Sequence, residues 1–158
     1  MPRFFLSDEP NLTMELAYNQ LTSCTRNCTP TAAASGRAKG ALDPGTGRRA
    51  AAVRVAFSAP QRNVLDGLDL TPTLSVGYNH GKSPVVVFGP DRGGDATFTL
   101  AGNYLTVWDF TLAYTHYYGK ENTATYAAVA TNNVNGTFTF AQAFKDRNFV
   151  SLSLRRAF

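Results

Sequence analysis

The last residues of the chain alternate: Val150, Leu152 and Leu154 fall on one side of an extended strand, and Ser151, Ser153, Arg155 and Ala157 on the other, before the chain closes on Phe158. A β-strand has a side-chain period of two, so this stretch has one apolar and one polar face. A ribbon of that kind needs hydrocarbon on one side and a wet or polar space on the other. That requirement constrains everything upstream of it.

The same pattern recurs along the chain. Leu12, Met14, Leu16 and Tyr18 alternate with Thr13, Glu15, Ala17 and Asn19, predicting a strand over about 11–21. Val53, Val55 and Phe57 against Ala52, Arg54 and Ala56 predict a second over about 48–58. Leu68, Leu70, Leu74, Val76 and Tyr78 share a third face against Asp69, Thr71, Thr73, Ser75, Gly77 and Asn79. Pro72 sits on that face without a backbone donor, so a bulge or a missing ladder bond is expected there. Phe98, Leu100 and Tyr104 with Thr97, Thr99 and Asn103 give a fourth strand at about 95–105. Trp108, Phe110, Leu112 and Tyr114 with Asp109, Thr111, Ala113 and Thr115 give a fifth at about 107–118, and the closing strand covers about 147–158. Each is near the ~9–11 residues that a tilted strand needs to cross hydrocarbon.

The connections alternate in length: 22–47 long, 59–66 short, 80–94 long, 105–107 tight and 119–146 long. Outer-membrane barrels alternate short periplasmic turns with long outer loops in this way. A C-terminus in the periplasm puts all three long connections outside. Asn135-Gly136, between 129–134 and Thr137–Phe140, is a hairpin signal and is read as a hairpin or strand extension above the membrane. Asp, Glu, Lys and Arg supply 16% of the residues, against roughly 25% in an average soluble domain. The polar faces are instead Thr, Ser, Asn, Gly and Ala, which suit a polar lumen, whereas the wet face of a soluble sandwich usually carries Lys and Glu. Aromatic residues (Tyr18, Phe57, Tyr78, Tyr104, Trp108, Tyr118, Phe158) gather near strand ends on the apolar face, as interfacial girdles do. The expectation is an all-β, antiparallel up-and-down meander of about six strands. It forms a single partial barrel domain over 1–158, behind a polar leader at 1–10, with the alternative a soluble sandwich.

Several chemistries find no support. No apolar run approaches the ~18 residues of a membrane helix. The N-terminus lacks the basic and apolar regions of a secretory signal, which conflicts with an outer-membrane location unless the front of the gene is missing. Arg26, Arg37, Lys39, Arg48 and Arg49 cluster in one Gly/Ala/Pro-rich stretch with Asp43 alone to offset them. Such a loop could meet lipopolysaccharide phosphates or be solvated surface. Nucleic acid is not expected, because no aromatics interleave a basic face. Cys24 and Cys28 with two histidines make no zinc-ligand set; they fit a small disulfide loop in an oxidising compartment, with free thiols the alternative. His116 has no serine in register and His80 starts a loop, so neither suggests a catalytic pair. Asp8 and Glu9 sit in the leader, so paired carboxylates are absent too. No catalytic residue, metal or cofactor is expected.

Residues 67–158 resemble the C-terminal part of the Gram-negative outer-membrane family catalogued as domain of unknown function 1302. The residues carrying the resemblance are Leu70-Thr71-Pro72-Thr73-Leu74 with Tyr78-Asn79-His80-Gly81, and Leu100-Ala101-Gly102-Asn103-Tyr104 with Trp108. They continue through Leu112-Ala113-Tyr114-Thr115 and Tyr117-Tyr118-Gly119, then Lys145 to Ser153 and Phe158. Residues 1–66 match loosely. The resemblance implies the C-terminal segment of a large single-chain transmembrane barrel in the outer membrane, acting as a channel or transporter of small, hydrophobic or amphipathic molecules. Alternatives are a structural or surface-interaction barrel and an outer-membrane hydrolase. It also implies an assembly signal at Val150, Leu152, Leu154 and Phe158, read by the barrel-assembly machinery. Arg156 departs from that signal, where an apolar residue is usual.

Six strands are too few to close a barrel, since the smallest have about eight. The remaining strands of a longer barrel, or a homo-oligomer, are therefore expected to complete it. If the first two strands form a hairpin centred near 34–35, Glu15 stands opposite Arg54 and bridges to it. Asp69, Asn79, Asn103, Asp109, Tyr117 and Arg155 are expected to project into the same lumen.

Overall fold

The computed structural model describes residues 9–23, 47–83, 88–122 and 140–157. Among them the secondary structure is all strand: β1 (Asn11–Gln20), β2 (Arg49–Ser58), β3 (Gln61–Leu65), β4 (Leu68–Gly81), β5 (Gly93–Tyr104), β6 (Trp108–Tyr118) and β7 (Phe149–Arg156). They form one antiparallel sheet in the order β1-β2-β4-β5-β6-β7, with β3 also on β4. The sheet is an open meander, edged by β1 and β7. Cys24, Cys28, Asn135-Gly136, Arg26, Arg37, Lys39 and Phe158 lie outside the described residues.

Among the described residues there are seven strands rather than about six. The segment 59–66, expected as a loop, contains β3, which carries β2 onward alongside the first residues of β4. β2 leaves β4 at Ser58↔Thr73 and β3 joins it at Gln61↔Leu70. Pro72 falls in that gap, where its missing N–H costs nothing; its carbonyl accepts from the Ala59 N–H at 3.0 Å. The β4–β5 ladder passes Pro72 in unbroken register, so the ladder is interrupted on one side only. The 80–94 connection is also shorter than expected, because β4 runs to Gly81 and β5 starts at Gly93.

Register puts like with like across the sheet, except at Phe149, which joins the polar row and packs near Tyr117. One row reads Leu12–Phe57–Leu74–Phe98–Tyr114–Val150, and the next along the strands reads Thr13–Ala56–Ser75–Thr97–Thr115–Phe149. Alternation along each strand therefore sums into one continuous apolar face and one polar face. The apolar face is not covered. Leu152 is 74% exposed and Leu16 71%, and the only buried hydrophobic residues described are Ala50 and Phe140. Tyr118 reaches across Gly94, its hydroxyl 3.1 Å from where a Cβ of Gly94 would stand and donating to the Gly77 carbonyl at 2.6 Å. An aromatic laid across a strand glycine restores packing that the glycine cannot supply.

β1, β2, β4, β5, β6 and β7 all direct the ends that carry long connections toward one end of the sheet. At the other end the turns are tight and braced by side chains. Asp69 accepts from the Asn63 N–H at 2.7 Å. Asn103 donates to Asp109 at 2.6 Å and accepts from the Thr106 N–H at 3.1 Å. Leu105 and Thr106 both have positive φ, at 53° and 57°, a conformation that a β-branched residue adopts only under strain. Thr106→Asn is therefore expected to raise stability by up to about 1 kcal/mol, read as a higher denaturant midpoint at unchanged slope.

Candidate functional site

The polar face is not bare at the long-loop end. Residues 140–144, which have no strand periodicity, fold over it and are fastened at three points. The Phe140 carbonyl accepts from the Asp91 N–H at 2.7 Å and the Gln142 N–H donates to the Lys120 carbonyl at 2.9 Å. The Gln142 side-chain amide donates to the Gly94 carbonyl at 2.9 Å and reaches the Tyr118 carbonyl at 3.4 Å. Gln142 is buried because its amide replaces the water those carbonyls would otherwise bind. Phe144 packs its ring 5.6 Å from that of Tyr117.

Between this segment and the sheet is a cleft of about 260 Å³. Its floor is the row Glu15–Arg54–Gly77–Asp95–Tyr117, of which Arg54, Asp95 and Tyr117 line it, with Asn79 and Phe88 beside them. Arg54 stands opposite Glu15 in the register expected from a hairpin centred near 34–35. Its ion pair is made in the other direction. The guanidinium crosses Gly77 and grips Asp95 with two hydrogen bonds, at 2.8 and 3.1 Å, and a third reaches Ser75 Oγ at 3.2 Å. The expected Glu15–Arg54 bridge is thus replaced by Arg54–Asp95, because a paired fork on a carboxylate is the stronger geometry and Gly77 leaves the path open. A Cβ at Gly77 would lie 2.7 Å from the Arg54 guanidinium nitrogen.

The Gly77→Val variant is accordingly expected to fold while displacing Arg54 from Asp95. The cost in stability stays below about 1 kcal/mol, since the pair is part-exposed and Arg54 swings away on a flexible stem. The check is a denaturation curve close to that of the parent together with the loss of Arg54-dependent properties.

The residues expected to share one lumen fall into two groups. Glu15, Arg54, Asn79 and Tyr117 are at the cleft end. Asp69, Asn103, Asp109 and Arg155 form a single row at the turn end, where the first three brace turns. Asp95, Phe140, Gln142 and Phe144 were not anticipated. Asp95 had a legible signal, since it continues the Thr97–Thr99 alternation of β5; the other three depend on a fold-back that no period announces. His116 stands opposite Ala96 on the apolar face, and His80 Nδ1 lies 3.4 Å from Asp91. Arg156, anomalous in the closing strand, places its guanidinium 5.3 Å from the centre of the Trp108 ring, a cation–π contact that accounts for a cation on that face. Val150, Leu152 and Leu154 are exposed on β7. Among the described residues no group of three or more His, Cys, Asp or Glu side chains could hold a metal ion, and no helix is long and apolar enough to cross a membrane.

A sequence model for the family described as "Protein of unknown function (DUF1302)" matches residues 3–158. The chain belongs to that family. The match begins well before residue 67, so the first two strands, in which the resemblance is loose, are part of it. No curated protein and no solved structure matches the chain.

Proposed function

We propose that this DUF1302 chain forms part of the wall of a transmembrane β-barrel in the outer membrane of a Gram-negative bacterium. In this reading the barrel conducts small molecules along its polar face, past the narrowing made by residues 140–144. The observation that carries it is the uncovered apolar face: six strands present aligned rows of Leu, Val, Phe and Tyr to the exterior with almost no buried hydrophobic core. In water such a face would demand a partner layer, whereas lipid hydrocarbon covers it directly.

Dimensions support this reading. The row Leu68–Tyr104–Trp108 and the row Leu16–Val53–Tyr78–Gly94–Tyr118 bound the apolar band, ten residues apart along β4. At about 3.3 Å per residue that is about 33 Å along the strand. A tilt of about 35–45° reduces it to about 23–27 Å, matching the ~25 Å apolar band between aromatic girdles of outer-membrane barrels. Both bounding rows contain tyrosine or tryptophan, which favour the interface.

An open sheet cannot stay open in lipid, where each unpaired N–H or C=O costs several kcal/mol. The backbone edges of β1 and β7 are therefore completed by further strands, from a longer chain or from other copies. The barrel-assembly machinery reads β7, with its exposed Val150, Leu152 and Leu154. The narrowing is amphipathic, with Tyr117, Phe140 and Phe144 on one side and the Arg54–Asp95 pair on the other, which suits an amphipathic or hydrophobic solute with a polar end. Reconstitution into planar bilayers tests the transport part: discrete conductance steps are expected, and an electrically silent, correctly inserted protein would refute it.

A further inference from the structure

Four cations converge at the long-loop end of the sheet. Arg48 and Arg49 lead into β2, Lys82 follows β4 and Arg92 precedes β5, and together they line a shallow cleft of about 520 Å³. One carboxylate shares it, Asp91. Four cations against one carboxylate leave a formal surplus of three, with His80 counted neutral. Asp91 is already engaged: it accepts from the Gly81 N–H at 2.8 Å and lies 3.9 Å from Lys82 Nζ. Among the described residues Arg49 and Arg92 have no ion-pair partner.

Position narrows what anion would be bound. Arg49 is opposite Gln20 and His80 opposite Ala51; alternation places Arg49 and His80 on the same face as Tyr18 and Tyr78, the apolar one. Arg49 is two residues beyond Ala51, whose row holds Tyr18, so it stands about 7 Å further along the strand. In the membrane reading, on which this inference rests, tyrosines mark the headgroup level. The cleft then starts at His80, in the Tyr18 row itself, and extends outward to Arg49 on the lipid-facing side rather than into the barrel interior. Guanidinium forks bind phosphate oxygens in pairs.

We infer that this cleft holds a phosphate of a lipid headgroup, that of a diphosphorylated glycolipid in the leaflet at the long-loop end. It is a docking site for the membrane itself, separate from the cleft on the polar face.

The test is partition of the refolded chain between phosphatidylcholine vesicles with and without diphosphoryl lipid A, at low salt. Insertion is scored separately by protease protection of the strands. The wild-type chain is expected to insert into both and to prefer the lipid A vesicles. Each neutralised cation near the surface costs about fivefold, so R49Q/K82Q/R92Q should lose about a hundredfold of that preference while still inserting. Equal preference for the wild type and the triple variant overturns the inference. So does abolition of the preference by millimolar inorganic phosphate, which would make the cleft a site for the free anion. Should the triple variant insert poorly, the lipid decides instead: the wild-type chain must favour diphosphoryl over dephosphorylated lipid A, and equal binding overturns the inference. A wild-type chain that enters no vesicle of either composition refutes the membrane reading itself, and this inference with it.

Discussion

Replacing Leu112 by Arg is expected to destabilise the bilayer-inserted protein by about 2–4 kcal/mol, the cost of a cation at the lipid-facing midplane of a barrel. Replacing Ala113 by Arg, one residue further along the same strand, is expected to cost little. Leu112 lies in the row Pro72–Leu100–Leu112–Leu152, midway along the apolar band, while Ala113 shares the polar face with Thr99 and Ser151. The two variants add the same side chain within the same β6 ladder, so strand propensity and net charge cancel from the comparison. In the proposed membrane setting, what differs is the medium outside each face. Urea unfolding from vesicles reads the difference as a drop in midpoint for Leu112→Arg alone. In a soluble protein whose apolar face is packed on a second layer the same asymmetry would appear, but it would persist in buffer without lipid. Here the parent is expected to unfold or aggregate once lipid is withdrawn.

The second large effect concerns the narrowing. Arg54→Ala leaves Asp95 and Glu15 on the cleft floor with no cation between them. Among Arg54, Asp95 and Glu15 the formal charge changes from −1 to −2, and the proposed pore is expected to shift toward cations. Two unit charges about 4 Å apart interact by about 1 kcal/mol even in bulk water, so the cation-to-anion permeability ratio should rise at least about fivefold. Reversal potentials under a salt gradient measure this ratio, best near 0.1 M salt, where screening extends over about 10 Å. Asp95→Asn is expected to shift it the opposite way. Gly77→Val, which keeps the cation but takes it off Asp95 because the Val side chain occupies its path, should shift the ratio in the same direction by less than Arg54→Ala. A graded series of that kind would separate a pore role for the pair from a purely structural one.

Much of this architecture was legible residue by residue. Leu74, Val76 and Tyr78 alternate with Thr73, Ser75 and Gly77, and a period of two admits one element, a strand with two unlike faces. The symmetric placement of Leu12–Tyr18 and Val53–Phe57 about residues 34–35 gave the Glu15↔Arg54 register as well. Reading failed where periodicity carries no information. β3 is only five residues, Gln61–Leu65, with Asn63 at positive φ, so its alternation is broken. The partner of Arg54 could not be read from the first hairpin, because the choice between Glu15 and Asp95 depends on a third strand and on an absent Cβ at Gly77. The segment that covers the cleft is held by Gln142 through backbone carbonyls of β5 and β6. A side chain bonded to carbonyls leaves no trace in the identity of the residues that carry them. Arg156 looked out of place in an apolar row until the Trp108 ring was found beside it.

Spin labels placed singly at residues 110–115 of β6 in the bilayer-reconstituted protein test the central claim most directly. Labels at Phe110, Leu112 and Tyr114 should relax with dissolved oxygen, which concentrates in hydrocarbon, and those at Thr111, Ala113 and Thr115 with a water-soluble nickel chelate. A period-two alternation in that phase is the predicted result. The opposite phase, or chelate access at all six positions, would contradict the assignment of the Leu112 face to lipid and of the Ala113 face to an aqueous interior.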